Sequence, residues 1–301
     1  MTNVWIVAVG AAGIENLVTT AQQIGGDLTA AVVGERAIAD AVAASGVDKV
    51  VWFGDPGSAP LEAFSGPVGD AVAAARPDVV LVPARNADRA IAGAVAAKLA
   101  APLYTMITDV ATAAGVTTVT HSTFGGIAEE TVKVTGPVVL VAEGGAVISG
   151  GSAPIETVDA AADTTLTVVE SRPAEHAAVD LSKAKRIVSI GRGLKSKDDL
   201  ALVEALASAL GAEISCSRPL AEGVDWFSHD RYVGVTGQHV APDLYLAIGI
   251  SGQLQHVVGA RGAGTIVVVN SDKDAPYFSE CDYGIVGDLY TIVPAITEAL
   301  K

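Results

Sequence analysis

Residues Tyr245–Leu289 read YLAIGISGQLQHVVGARGAGTIVVVNSDKDAPYFSECDYGIVGDL. Three short apolar runs close on hydrogen-bonding turns: Ile250-Ser251-Gly252-Gln253, Asn270-Ser271-Asp272 and Gly287-Asp288-Leu289. Continuous apolar runs bounded by turns mark strands of a parallel sheet covered on both faces, and ligands of such sheets bind at the carboxyl ends of the strands. The stretch therefore predicts strands over Leu244–Ile250, Thr265–Val269 and Ile285–Gly287. Polar groups follow each one. A short helix is expected over Gly252–Gly259, with Ser251 at its cap and Gln253, Gln255 and His256 in its first turns, where N–H donors and the positive dipole end gather. Asp288 either caps the last helix or accepts bonds from a sugar hydroxyl.

Upstream, the same grammar repeats. Arg186–Ile190 reads as a strand, Gly191-Arg192-Gly193 as its turn and Lys197–Leu210 as a helix. Ser196 and Asp199 have the spacing of a capping box, with Asp in place of Glu. The turn is either ordinary or a place where a phosphate approaches glycine backbone beside the forked cation of Arg192. A dinucleotide GxGxxG is not spelled out, because Ser196 stands where the third glycine belongs. The next strand, Glu213–Cys216, ends in Ser217-Arg218, where Arg218 faces a ligand or pairs on the surface. Tyr232-Val233-Gly234-Val235-Thr236-Gly237-Gln238 is a glycine-bearing loop, a hairpin turn or a ligand loop. Five strands followed by polar groups on one edge is the layout of a dinucleotide crevice.

Residues 1–180 alternate differently. Val4–Val9, Thr29–Val33, Lys49–Phe53, Val79–Val82 and Tyr104–Ile107 read as buried parallel strands. Helices are expected between them, among them Glu15–Ile24, Ala37–Ala44 and Asp88–Leu99. Val116–His121, Thr131–Val134, Val138–Ala142 and Thr165–Val169 lack intervening helices and predict added antiparallel pairing. Gly10-Ala11-Ala12-Gly13 reads mainly as a structural turn. Arg85, Asp88 and Arg89 read mainly as a paired helix start rather than a small site.

The chain has 301 residues, half of them hydrophobic and 5% aromatic. That suits two α/β domains, divided near residue 180 after the segment Asp159–Asp180. Mean hydropathy is +0.44, yet no apolar run approaches the ~20 residues of a membrane span. MTNVWIVAVG enters a strand without the basic region of a signal peptide, so a cytoplasmic, bacterial setting is expected. The net charge of −15 disfavours nucleic acid as a partner. It is uneven: 8 basic against 20 acidic side chains over 1–180, and 11 against 14 over 181–301. A basic cluster, Lys183, Lys185, Arg186, Arg192, Lys195 and Lys197, opens the second unit. Cys216 and Cys281 belong to no CxxC, and no metal site is expected.

GRGLKS, CSR, GVTG, GISGQLQH, TIVVVN and DYGIVGDL follow one another in the order seen in electron-transfer flavoprotein α subunits, and over residues 186–301 the chain closely resembles that family. The resemblance implies an N-terminal nucleotide-hydrolase-like α/β domain (1–180) that contacts a partner subunit. It implies a C-terminal Rossmann-like parallel-sheet domain (181–301) that binds FAD. It implies an electron carrier rather than an enzyme: a heterodimer with a β subunit, reduced by flavin dehydrogenases such as acyl-CoA dehydrogenases and oxidised by a membrane quinone oxidoreductase. Carried over by motif, the FAD contacts are Arg192, Ser217, Arg218, Val233, Gly234, Val235, Thr236, Ser251, Gly252, Gln253, Leu254, Gln255, His256, Asn270, Asp288 and Leu289. Among these, Arg218 would raise the flavin potential by stabilising reduced, anionic flavin. Thr236 would bond near N5, and His256 would lie by the pyrimidine carbonyl, where negative charge accumulates on reduction. Asn270 and Asp288 would hold the adenosine half. Many members read GQTG where this chain has Gly234-Val235-Thr236-Gly237, with glutamine at Gln238; the threonine is kept. Other readings are a regulatory nucleotide-binding module, and an NAD-dependent dehydrogenase, against which the missing GxGxxG counts.

Overall fold

The computed structural model describes residues 2–170 and 181–300. The chain forms two compact units, Met1–Ser171 and Arg172–Lys301. The boundary expected near 180, with the last part of the segment Asp159–Asp180 that leads to it, falls on residues 171–180, outside the described residues.

The first unit runs β1 (Asn3–Val9), α1 (Glu15–Ile24), β2 (Asp27–Val33), α2 (Arg36–Ala43), β3 (Lys49–Trp52), α3 (Ser65–Ala75), β4 (Val79–Pro83), α4 (Asn86–Leu99), β5 (Leu103–Thr105), β6 (Ile107–Ala113), β7 (Val116–Thr123), β8 (Ala128–Thr135), β9 (Val138–Ala142) and β10 (Ile155–Thr157). Seven strands form one parallel sheet in the order β10-β3-β2-β1-β4-β9-β5. Its central strands are apolar throughout because both faces are covered. Ile6 and Ala8 pack into one core, and Val7 and Val9 into the other.

Three expectations are corrected here. Val138–Ala142 is not part of the antiparallel addition: β9 returns to the parallel sheet between β4 and β5. Among the described residues, only β6, β7 and β8 pair antiparallel. Tyr104–Ile107 is not one strand, because Met106 adopts φ +55° and Ile107 opens β6. Thr165–Val169 forms no strand. Asp163 accepts the Thr165 N–H and hydroxyl in a local turn (2.9 and 2.7 Å), and Leu166, Val168 and Val169 are exposed.

Gly10–Gly13 is a structural turn. The first amides of α1 are taken by the chain itself: Ile14 and Glu15 N–H donate to the Ala146 carbonyl and Asn16 N–H to that of Gly144. Asp88 is fully buried. It accepts from Val9 N–H (2.8 Å) and from Arg85 Nε (2.8 Å), tying α4 to the end of β1.

The second unit runs β11 (Arg186–Ile190), α5 (Leu200–Leu210), β12 (Glu213–Cys216), β13 (Leu244–Ile248), α6 (Leu254–Ala260), β14 (Ile266–Asn270), β15 (Tyr283–Val286) and α7 (Leu289–Ala299). The five strands are all parallel, in the order β12-β11-β13-β14-β15. Val188, Ile190, Leu246 and Ile248 meet Val203 of α5 and Val293 of α7 on one face. Ile187, Tyr245, Ala247 and Val268 meet Val257 and Ala260 of α6 on the other. The capping box is present: Ser196 Oγ accepts from Asp198 N–H while Asp199 accepts from Ser196 N–H.

Candidate functional site

The chain leaves β11 for β12 in one direction, then crosses back to β13, β14 and β15 in the other. Strand order thus reverses between β11 and β13, where a crevice is expected. Because every strand is parallel, the segments after their carboxyl ends share one edge. These carry Arg192 after β11, Ser217 and Arg218 after β12, Ser251 to Gln255 after β13, Asn270 at the end of β14, and Asp288 and Leu289 after β15. From β12 to β15 this edge spans four inter-strand spacings, about 19 Å.

The glycine turn has a structural cause that its sequence did not disclose. Gly191 N–H donates to the Ile248 carbonyl and Gly193 N–H to that of Gly249 (both 3.0 Å). Gly249 sits at φ +63°, and a Cβ on it would come within 2.8 Å of Gly193 Cα. The two turns thus lie backbone against backbone across the reversal point. Beside them opens a cavity of about 320 Å³, lined by Gly193, Lys195, Gly249, Asn270, Ser271, Asp288, Leu289 and Tyr290. Of the residues carried over by motif, Asn270, Asp288 and Leu289 meet here. Lys195, Ser271 and Tyr290 went unselected, though Lys195 stood in the basic cluster and Tyr290 directly follows Asp288-Leu289. Tyr290 Oη donates to Asp199 Oδ2 (2.5 Å) and accepts from Lys195 N–H (2.9 Å). Lys195 Nζ lies 5.4 Å from the centre of the Tyr290 ring, a cation–π contact.

Asp288 does cap α7, accepting from Tyr290 N–H (3.1 Å). The Asn270 amide is largely committed to the fold: Nδ2 donates to the Ile250 carbonyl (2.9 Å) and Oδ1 accepts from Asp272 N–H (3.0 Å). Ser251 is not the cap of α6. Gln253 occupies that position, because the Ser251 carbonyl accepts from Tyr277 N–H and Gly252, at φ +81°, lies against the Tyr277 backbone.

At the β12 end, the Val233–Gln238 loop is seated by main-chain bonds. Val233 N–H donates to the Cys216 carbonyl (3.0 Å) and Val235 N–H to that of Gln255 (2.8 Å). The loop closes on itself through Gln238 N–H to the Tyr232 carbonyl (2.7 Å). Val233 and Gly234 are buried, while Val235 and Thr236 face outward. Thr236 Oγ1 lies 3.3 Å from Tyr232 Oη. Ser217 is buried beneath, its N–H on the Ile190 carbonyl. Arg192 and Arg218 are exposed. Arg218 is ion-paired with Glu222 (2.5 Å), so its surface-pair reading holds in the structure.

His256 lies inside. Nε2 is 3.0 Å from Tyr245 Oη. Nδ1 faces the Val233 backbone without closing a well-formed hydrogen bond. Burial pushes the imidazole down to about 4, so the ring is neutral at pH 7.

Two family models match most of the chain. Residues 12–171 match the electron transfer flavoprotein domain, and residues 180–261 match the electron transfer flavoprotein FAD-binding domain. The chain belongs to the electron-transfer flavoprotein α subunit family. Relatives agree over nearly the full length. Protein FixB of Escherichia coli O17:K52:H18 is 35% identical over 309 residues, covering 99% of this chain and 98% of that one. Protein FixB of Salmonella typhimurium is 36% identical over 316 residues with the same coverage, and that of Shigella flexneri is 35% identical over 309. The cofactor of this flavoprotein is FAD, and the match to the FAD-binding domain, residues 180–261, lies in the parallel-sheet second unit. Among the described residues no helix is long and apolar enough to cross a membrane.

Proposed function

We propose that this flavoprotein is the FAD-holding subunit of an electron carrier, paired with a β subunit and without substrate turnover of its own. It takes electrons from flavin dehydrogenases, such as acyl-CoA dehydrogenases, and delivers them singly to a membrane quinone oxidoreductase. The observation that carries the reading is the single polar edge, about 19 Å long, that collects the segments after all five parallel strands.

The residues on that edge fit FAD. The cavity beside Gly193 and Gly249 offers glycine backbone for a phosphate, the Lys195 cation, and the Asp288 carboxylate and Ser271 hydroxyl for a sugar. At the other end Arg218 supplies positive charge and Thr236 a hydroxyl, with the neutral His256 buried behind the Val233–Gln238 loop. Bound there, FAD accepts and releases the electrons, while the protein tunes charge around the ring. The chain's own residues bind, orient and polarise; no general acid or nucleophile is required.

The test is electron transfer by this chain co-purified with its partner subunit. The reading expects stoichiometric FAD, reduction by a reduced acyl-CoA dehydrogenase and reoxidation by the quinone oxidoreductase. FAD that neither protein reduces nor oxidises would overturn the assigned partners.

A further inference from the structure

Arg218 and Thr236 are joined through three residues, Glu222, His229 and Tyr232, of which the first two belong to no motif. Arg218 Nε donates to Glu222 Oε2 (2.5 Å), and the other oxygen of the same carboxylate lies 3.2 Å from His229 Nε2. The His229 ring meets that of Tyr232 edge-on, with centroids 5.7 Å apart. Tyr232 Oη then reaches Thr236 Oγ1 at 3.3 Å. One continuous chain of contacts therefore runs from the end of β12 to the outward tip of the Val233–Gln238 loop.

Local structure explains the arrangement. After Arg218 the backbone makes a single π-helical turn, Pro219–Gly223, a rare element that often marks functional sites. Leu220 and Ala221 turn into the core, and Tyr232 is buried. Arg218 and Glu222 are left together at the surface, four residues apart. The guanidinium beside Glu222 holds its carboxyl below the usual range, so the pair is charged at pH 7. Exposed pairs of this kind add little to stability, so replacing Glu222 leaves the fold standing. The bond engages Nε, and the terminal nitrogens of the guanidinium keep their donors for a ligand.

We propose that Glu222 is a positioning residue: its carboxylate fixes the Arg218 guanidinium relative to the bound flavin, in register with the Thr236 loop through His229 and Tyr232. This rests on the FAD site proposed above. The direct field of an exposed carboxylate is screened by solvent and salt, so the orientation of the cation it holds dominates its influence.

The experiment measures one-electron potentials of the FAD in the complex co-purified with its partner subunit, for the wild type, Glu222→Ala, Glu222→Asp, Arg218→Ala and the double variant Arg218→Ala/Glu222→Ala. Glu222→Ala is expected to lower the first potential in the same direction as Arg218→Ala, with Glu222→Asp in between. It should add no further shift where Arg218 is already absent, the mark of a residue acting through another. FAD content of the two single Glu222 variants should stay unchanged. In the same variants, the Nε–H NMR signal of Arg218 should lose protection from solvent exchange in Glu222→Ala. An unchanged or raised potential in Glu222→Ala beside a shifted Arg218→Ala overturns the positioning role and leaves the site standing. The same shift persisting without Arg218, or an unaltered Nε–H exchange rate, also overturns it. A wild-type potential in Arg218→Ala overturns the site assignment and this inference with it.

Discussion

The Tyr245 hydroxyl lies 3.0 Å from Nε2 of His256, with both side chains buried. Burial raises the phenol far above its ordinary range, so Tyr245 keeps its proton and can donate to Nε2. In that tautomer Nε2 is the acceptor and Nδ1 carries the ring proton. The resemblance assigns His256 to the flavin pyrimidine. In this structure it would act there as a neutral dipole, which leaves Arg218 as the cation.

Removing the phenol hydroxyl tests the pairing. Tyr245→Phe strands a buried acceptor and is expected to cost about 1–3 kcal/mol. Urea denaturation measures the loss, and ¹⁵N chemical shifts of the imidazole show whether the proton remains fixed on Nδ1.

The same burial makes a pH prediction. The folded-state pKa of His256, about 4, lies below its unfolded value of about 6.5. The folded protein therefore binds fewer protons, and the contribution is intact above pH 6.5 and lost as pH falls from 6.5 toward 4. The full loss is on the order of 3 kcal/mol. Stability against pH, compared between the wild type and His256→Gln, should show the difference confined to that window.

Asp88 provides a contrast in the first unit. It is buried on the Val9 amide and the Arg85 guanidinium, and burial raises its carboxyl despite both partners. Asp88→Ala leaves both without their acceptor and should destabilise the first unit by about 3 kcal/mol. FAD content of the complex, measured in the cold, should remain at the wild-type level; its loss would mean that Asp88 serves the flavin.

The glycine contact at the strand reversal is equally specific. Gly249→Ala places a methyl 2.8 Å from Gly193 Cα at a backbone φ of +63°. The two turns must separate, at a cost of about 1–3 kcal/mol. FAD retention after gel filtration should fall more than in Gly66→Ala, where a methyl meets open space.

Two roles meet in Asp288, and one substitution separates them. Asp288→Ser keeps a side-chain oxygen for Tyr290 N–H, whereas Asp288→Ala removes it and should cost about 1 kcal/mol of helix capping. If the carboxylate also holds the adenosine half, both variants lose FAD, while thermal melting distinguishes them.

Much of this fold was legible because buried parallel strands write themselves as short, largely apolar runs bounded by turns. Arg186–Ile190 and Glu213–Cys216 are such cases, read with their bounds intact. Val138–Ala142 was misread because a two-residue turn after β8 suits a hairpin, and only the contacts of β4 and β5 reveal the return to the parallel sheet. The alternation in Thr165–Val169 imitates a strand, but among the described residues no neighbour pairs with it. In the site, parallel strands guaranteed that Arg192, Arg218, Asn270 and Asp288 would share an edge. Sequence did not disclose that Gly191 and Gly193 serve a backbone contact, nor that Asn270 spends its amide on Ile250 and Asp272. The glycine contacts and the Asn270 bond to Ile250 depend on residues 20 to 57 positions away. The chain from Arg218 to Thr236 is local in sequence but was hidden for another reason: Glu222 and His229 belong to no motif and meet through the π-turn.

The most direct test of the carrier reading is a visible spectrum recorded during stepwise reduction of the complex with its natural partner subunit. The account predicts FAD absorbance that declines in two resolved one-electron steps, the first moving to lower potential in Arg218→Ala. A complex whose flavin takes both electrons in one unresolved step, indifferent to Arg218, would contradict it.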